Sequence, residues 1–158
     1  MRLTIGDVAP GLALAPLRFQ ATATRIVAGA LASRDYSRLH HDRGYVAEVA
    51  GQRDIFANTQ FQAALFERYL GDWSGPQGRV ARMRFAMRES IFAGDMVTLT
   101  GTVREVIATG PCGPAVIAEL AMAVEDRTVT TCQALYALPL DARDDPWRRE
   151  GTEWLQPD

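Results

Sequence analysis

The sequence predicts an α+β fold, and three observations predict it. A helical pattern runs over about 56–70, the apolar period shortens to two at Arg79, and three further strand-like segments follow, separated by short turns. A long helix followed by antiparallel strands buries its apolar face only if the sheet covers it.

Taken in order, residues 1–20 hold Pro10, Gly11 and Pro16 among apolar residues, which favours an irregular arm or edge strand over a helix. From Thr24, the residues Ile26, Val27, Ala30 and Leu31 recur at helical spacing, with Thr22 and Thr24 able to cap the N-terminus. This short helix delivers Asp35 at its C-terminal end. Residues 35–51 are largely polar and end in Gly51, as expected of a loop with a short helical turn. The long helix, from about Phe56 to Leu70, places Phe61, Leu65 and Tyr69 four apart with Ala64 beside them, and Gly71 is positioned as its C-terminal cap. From Arg79, Ala81, Met83, Phe85 and Met87 face one way and Arg82, Arg84 and Arg88 the other. Met83, Phe85 and Met87 are expected in the core. Strands near 95–108, 115–125 and 127–138 are joined by turns at Gly94-Asp95, Gly110-Pro111-Cys112-Gly113 and Glu125-Asp126-Arg127, and such short turns imply antiparallel neighbours. Residues 1–140 then form one domain. Residues 141–158 are a charged tail with Pro146, Trp147 and Trp154, either loose or docked through its rings.

At 158 residues, 47% hydrophobic and 23% charged with a formal charge of -2, the chain can bury one substantial core and carries no charge excess to attract nucleic acid or a membrane surface. Cys112 and Cys132 lack paired-ligand spacing, and no basic segment precedes an apolar run at the N-terminus. Neither zinc nor secretion is signalled, and a reducing cytoplasm is expected.

Chemistry is concentrated in one place: both histidines, His40 and His41, and the carboxylates Asp35 and Asp42 fall within residues 35–42. Histidine titrates near neutral pH, and a nearby carboxylate orients its ring and shares proton transfer with it. Asp35 and His40 are the candidate pair. A lone loop histidine is ordinarily held by a backbone carbonyl, and a lone Asp at a helix end ordinarily caps a loop. Adjacent His41 and Asp42 diverge too readily for a metal site, which needs three or four converging ligands, so no metal is expected. Asp42 suits a loop anchor, and Arg43 offers it a solvated ion pair.

This stretch, a small-residue-rich helix ending in Asp, four intervening residues and then His-x-Asp, resembles the signature of the MaoC-like, (R)-specific enoyl-CoA hydratases. Asp35 matches the family's catalytic Asp, His40 its catalytic His and Asp42 the acid that follows. The resemblance continues through Asp54-Ile55-Phe56-Ala57-Asn58 to Gly71-Asp72-Trp73-Ser74-Gly75-Pro76, and in this form it is most similar to the small subunits of the family's heteromeric, steroid side-chain-degrading branch. Arg34 stands where the family usually has Gly, Ser37 where it has Asn, Arg38 where it has Pro, and Asn58 where it has the Gly of a His-Gly pair.

The resemblance implies a hot-dog fold, a long central helix wrapped by an antiparallel sheet. It implies that Asp35 and His40 activate a water that adds across the 2,3 double bond of an enoyl-CoA, with no cofactor and with an acyl group that is bulky and steroid-like. Ser37, Asp42 and Asn58 complete the expected substrate-binding set. Asn58 lies near the start of the long helix, where free N–H groups favour developing negative charge, and it is equally suited to be an ordinary cap. Arg82, Arg84 and Arg88 either meet coenzyme A phosphates or form a solvated face. The expected partners are an acyl-CoA substrate and either a second copy or a different hot-dog chain. The alternatives are a hot-dog thioesterase and a non-catalytic acyl-CoA-binding subunit.

Overall fold

The computed structural model describes residues 3–154, which run in the order β1 (Ala13–Gln20), α1 (Ala23–Ala32), α2 (Arg43–Glu48), α3 (Thr59–Ser74), β2 (Arg79–Met87), β3 (Met96–Ile107), β4 (Ala115–Val124) and β5 (Arg127–Ala137). The strands form one antiparallel sheet ordered β1-β3-β4-β5-β2. Every second residue of β4 from Val116 to Val124 is buried, as are Val97, Leu99, Gly101 and Val103 of β3. That alternation is what a sheet with one covered face requires. The cover is α3, which buries Leu65, Phe66, Tyr69 and Leu70, each Leu or Phe contributing about 1.5–3 kcal/mol. This is the α+β hot-dog arrangement.

Close approach of helix and sheet depends on Gly101, where a Cβ would lie 2.7 Å from Leu120 and 3.2 Å from the Tyr69 ring. The Tyr69 hydroxyl donates to the Ala15 carbonyl at 3.0 Å, pinning α3 to the edge strand β1. The β1–β3 register shifts between Leu14 and Leu17, and Pro16, which has no N–H to offer a ladder, sits in that irregularity.

Three local expectations are corrected. The long helix begins at Thr59 with Asn58 as its cap and continues through Gly71 to Ser74. It stops at Gly75, whose φ of 93° is open to glycine and whose N–H returns to the Gly71 carbonyl at 2.8 Å, and Pro76 bars further turns. The turn at Gly94-Asp95 does not join neighbouring strands, because β2 pairs with β5 and β3 with β1 and β4. The segment between β2 and β3 instead crosses over the start of α3, burying Ile91, accepting the Ala57 N–H on the Ile91 carbonyl at 2.8 Å and bridging Phe92 to Phe56. Finally, Met83 and Phe85 pack against the core, but Met87 is 46% exposed.

Residues 141–154 dock. Trp147 Nε1 donates to the Gly78 carbonyl at 3.2 Å, and the Arg79 guanidinium lies over both Trp147 and Trp154, 3.7 Å from the latter ring's centre. Their deepest anchor is Arg149, 8% exposed, which donates to the carbonyls of Cys112 (2.6 Å) and Leu138 (2.9 Å) and pairs with Asp144 at 2.5 Å. The rest of the tail, 155–158, lies outside the described residues. Among the described residues no helix is long and apolar enough to cross a membrane.

Candidate active site

Asp35 owes its position to how α1 ends. The Asp35 N–H returns to the Ala30 carbonyl (2.9 Å) and the Arg34 N–H to the Leu31 carbonyl (3.0 Å), the paired bonds of a Schellman motif. Such a motif needs a left-handed residue just past the helix, and here Arg34 takes it, with φ 56°. The same helix packs on α3 at Gly29, where a Cβ would meet the Phe61 ring at 2.7 Å. That contact brings the end of α1 beside the start of α3.

Asn58 joins the two ends. Its Oδ1 accepts the Phe61 N–H at 3.0 Å, capping α3, while its Nδ2 donates to Ser33 Oγ (2.9 Å) and to Asp35 Oδ2 (3.1 Å). Asp35 Oδ1 accepts the Ser37 N–H at 3.2 Å. The Asn58 amide first, then the Ser37 N–H, hold the Asp35 carboxyl below its usual range, outweighing partial desolvation, and His40 adds a smaller pull in the same direction.

His40 is 6% exposed, and its ring is fixed on both sides. Nδ1 lies 2.7 Å from the Phe56 carbonyl, so Nδ1 carries the proton, and the Phe56 ring stands edge-on to the imidazole at 5.3 Å. Nε2 lies 3.3 Å from Asp35 Oδ2. In the neutral ring Nε2 can only accept, and the carboxylate can only accept. With the ring neutral, a water offering one O–H to each satisfies both, and with the ring protonated Nε2 donates to Asp35 directly.

Asp35, His40, Phe56, Asn58, Thr59, Gln62 and Met87 line a cavity of about 240 Å³, with Arg88 and Glu89 also on its wall. Met87 reaches it because it is the outermost residue of β2 on its face. Ser37 and Asp42 do not line it. Ser37 acts through its backbone N–H on Asp35. Asp42 caps α2 by accepting the Tyr45 N–H at 3.0 Å and pairs with Arg38 at 2.7 Å, so it anchors the loop beneath His40. Its expected partner Arg43 turns instead to Asp54, at 2.9 Å. Arg82 and Arg84 lie away from this cavity, along a separate groove with Ile107, Ile117 and Leu135. Among the described residues no three His, Cys, Asp or Glu side chains gather as metal ligands.

Two participants escape the sequence reading. Phe56 contributes a backbone carbonyl, for which no residue pattern exists. Gln62, 2% exposed, lies on the face of α3 that otherwise buries Leu65, Phe66 and Tyr69. A polar residue breaking an apolar stripe four positions after the cap was the available signal.

A hot-dog sheet around a capped helix, with a carboxylate and a tautomer-fixed imidazole at that helix's N-terminus, defines a protein of the MaoC-like hydratase family, to which the chain belongs. It is 36% identical, over 96 residues, to the 3-oxo-4,17-pregnadiene-20-carboxyl-CoA hydratase beta subunit of Mycobacterium tuberculosis, an alignment covering 61% of this chain and 74% of that one. In structure it is similar to a chain of the ChsH1-ChsH2 complex of the same organism, with TM-score 0.77 and 27% identity over 83% of this chain and 98% of that one. The (R)-hydratase of A. caviae involved in PHA biosynthesis shares the fold, with TM-score 0.75 and 23% identity over 84% of this chain and 98% of that one. No family model matches the sequence.

Proposed function

We propose that the chain is the catalytic subunit of an enoyl-CoA hydratase acting on a bulky, steroid-like acyl group. The observation that carries this reading is the pairing of Asp35 Oδ2 with His40 Nε2 at 3.3 Å on a cavity wall, with Nδ1 committed to Phe56. A water held by that pair loses a proton to it as the water oxygen bonds to C3 of the 2-enoyl thioester. The π electrons move toward the thioester oxygen, and the proton passes to C2, so that H and OH add across the double bond. The Asn58 backbone N–H, at the positive end of α3, polarises the thioester carbonyl. Thioester activation and proton transfer are all that this addition needs.

The acyl class rests on the M. tuberculosis relative, named for a pregnadiene carboxyl-CoA. A cavity of about 240 Å³ falls short of the roughly 300–1,000 Å³ that encloses a drug-sized ligand, so a steroid-sized group needs a second wall. A partner hot-dog chain supplies it, docked along β2, which lies at the sheet edge with its outer side unpaired among the described residues. Two buried, unpaired cysteines, Cys112 and Cys132, suit the reducing cytoplasm where acyl-CoA is handled.

Incubation with short, long and steroid-like 2-enoyl-CoAs, alone and with a co-expressed partner, tests the reading. Loss of the conjugated thioester absorbance with a 3-hydroxyacyl-CoA product is expected. Release of free coenzyme A would make it a thioesterase, and intact substrate throughout would make it a non-catalytic subunit.

A further inference from the structure

The start of α3 carries two donors that the fold leaves unused. The Asn58 backbone N–H donates to no group among the described residues, and neither does Nε2 of Gln62. Gln62 is 2% exposed, yet it lines the same cavity as Asp35 and His40. Its Oε1 takes the proton of the buried Thr130 hydroxyl at 2.6 Å, which stops the amide from rotating and leaves both Nε2 protons available. Nε2 has no acceptor among the described residues but is not closed off from solvent, so its protons face whatever fills the cavity. Helical side chains lean toward the N-terminus over the residue four positions earlier, which for Gln62 is Asn58. Both donors therefore address the same end of the cavity.

We propose that Gln62 is a catalytic residue, its Nε2–H joining the Asn58 N–H in holding the thioester oxygen as negative charge develops there. This rests on the enoyl-thioester reading above. Thr130 is the positioning residue that aims the amide. Two donors on one oxygen restrain the enolate more than the ground-state carbonyl, so the effect belongs to kcat.

The test compares Gln62→Leu with the double variant Gln62→Leu/Thr130→Val, which leaves no lone hydroxyl in the core. Both are expected to lose about 10²-fold in kcat while KM stays within about threefold and the pH profile keeps its shape. A second readout needs no turnover. With Asp35→Asn blocking chemistry, a bound cinnamoyl-CoA chromophore should absorb to the red of the free compound, and adding Gln62→Leu should reduce that shift. Turnover within about threefold of the parent in either folded variant, or an undiminished red shift, overturns the assignment. Parental turnover restored in the double variant also overturns it, because the loss then came from the stranded Thr130. A parent that shows the red shift but hydrates nothing overturns the hydratase reading and leaves the Gln62 donor standing.

Discussion

Asn58 does two jobs through opposite ends of one amide, and Asn58→Asp separates them. Asp caps a helix as well as Asn does, so the bond from the Phe61 N–H survives and α3 keeps its start. The other end changes from a donor into an acceptor 3.1 Å from Asp35 Oδ2. Two like charges at that separation repel by about 1 kcal/mol at the dielectric of water and about 5 kcal/mol at an effective value of 20. Asp35 keeps 26% of its side chain exposed but position 58 is buried, so the repulsion falls between the two figures, at least about tenfold in the Asp35 protonation equilibrium. The sign follows. The Asn58 amide is the first cause holding the Asp35 carboxyl low, so replacing it with a carboxylate raises that group.

A pH titration of the Asp35 carboxyl carbon by NMR is the assay, because the acidic limb of kcat/KM reports whichever base of the Asp35–His40 pair protonates first as pH falls. In the parent, Asp35 is ionised well into the acidic range, and in Asn58→Asp its titration moves to higher pH. The cap survives but both Nδ2 bonds are lost, so the unfolding midpoint also falls, by about 4–8 °C before the repulsion is added. Asn58→Ala adds no charge. It loses the cap, which costs about 1 kcal/mol, and two buried hydrogen bonds at about 1 kcal/mol each, so the unfolding midpoint falls by about 6–12 °C at the usual 2–4 °C per kcal/mol for a chain this long. An Asn58→Asp protein in which the Asp35 carboxyl titrates as in the parent would refute the argument, because it would mean that the Asn58–Asp35 contact does not set the charge of that carboxylate.

Further outcomes follow from the same geometry. Asp35→Asn and His40→Ala should each lower turnover by about 10²- to 10⁴-fold with circular dichroism unchanged, and the double variant should be no worse than the poorer single, since the proposed mechanism has both groups act on one water. Arg34→Gly should raise the unfolding midpoint by about 2–4 °C, because glycine escapes the roughly 1 kcal/mol that a side chain pays in the left-handed region at φ 56°. Arg149→Ala should lower stability by about 2–6 kcal/mol in denaturant titration, since it strands the Cys112 and Leu138 carbonyls, each costing about 1–3 kcal/mol when left buried without a donor.

What the sequence disclosed, and what it withheld, divides along one line. Residue patterns report which way a side chain faces, and so the alternation of β4, the apolar stripe of α3 and the capping role of Asn58 were all legible. They do not report what lies opposite. β2 looked like the hairpin partner of β3 because few residues separate them, yet the segment between them is spent crossing the start of α3, and β2 pairs with β5 instead. Asp42 entered the expected substrate-binding set through the family resemblance, whereas its own setting suited a loop anchor, and the structure has it on Arg38 four positions back and at the cap of α2. Asp35 and His40 were legible because five residues of loop suffice to bring them together, whereas the contacts that give them their chemistry come from farther off: Asn58, 23 positions from Asp35, and the Phe56 carbonyl, 16 from His40. The pair was therefore readable from composition, but its protonation was not. Proton placement in this site is a property of the junction between α1 and α3, and that junction exists only once Gly29 has let the Phe61 ring close against it.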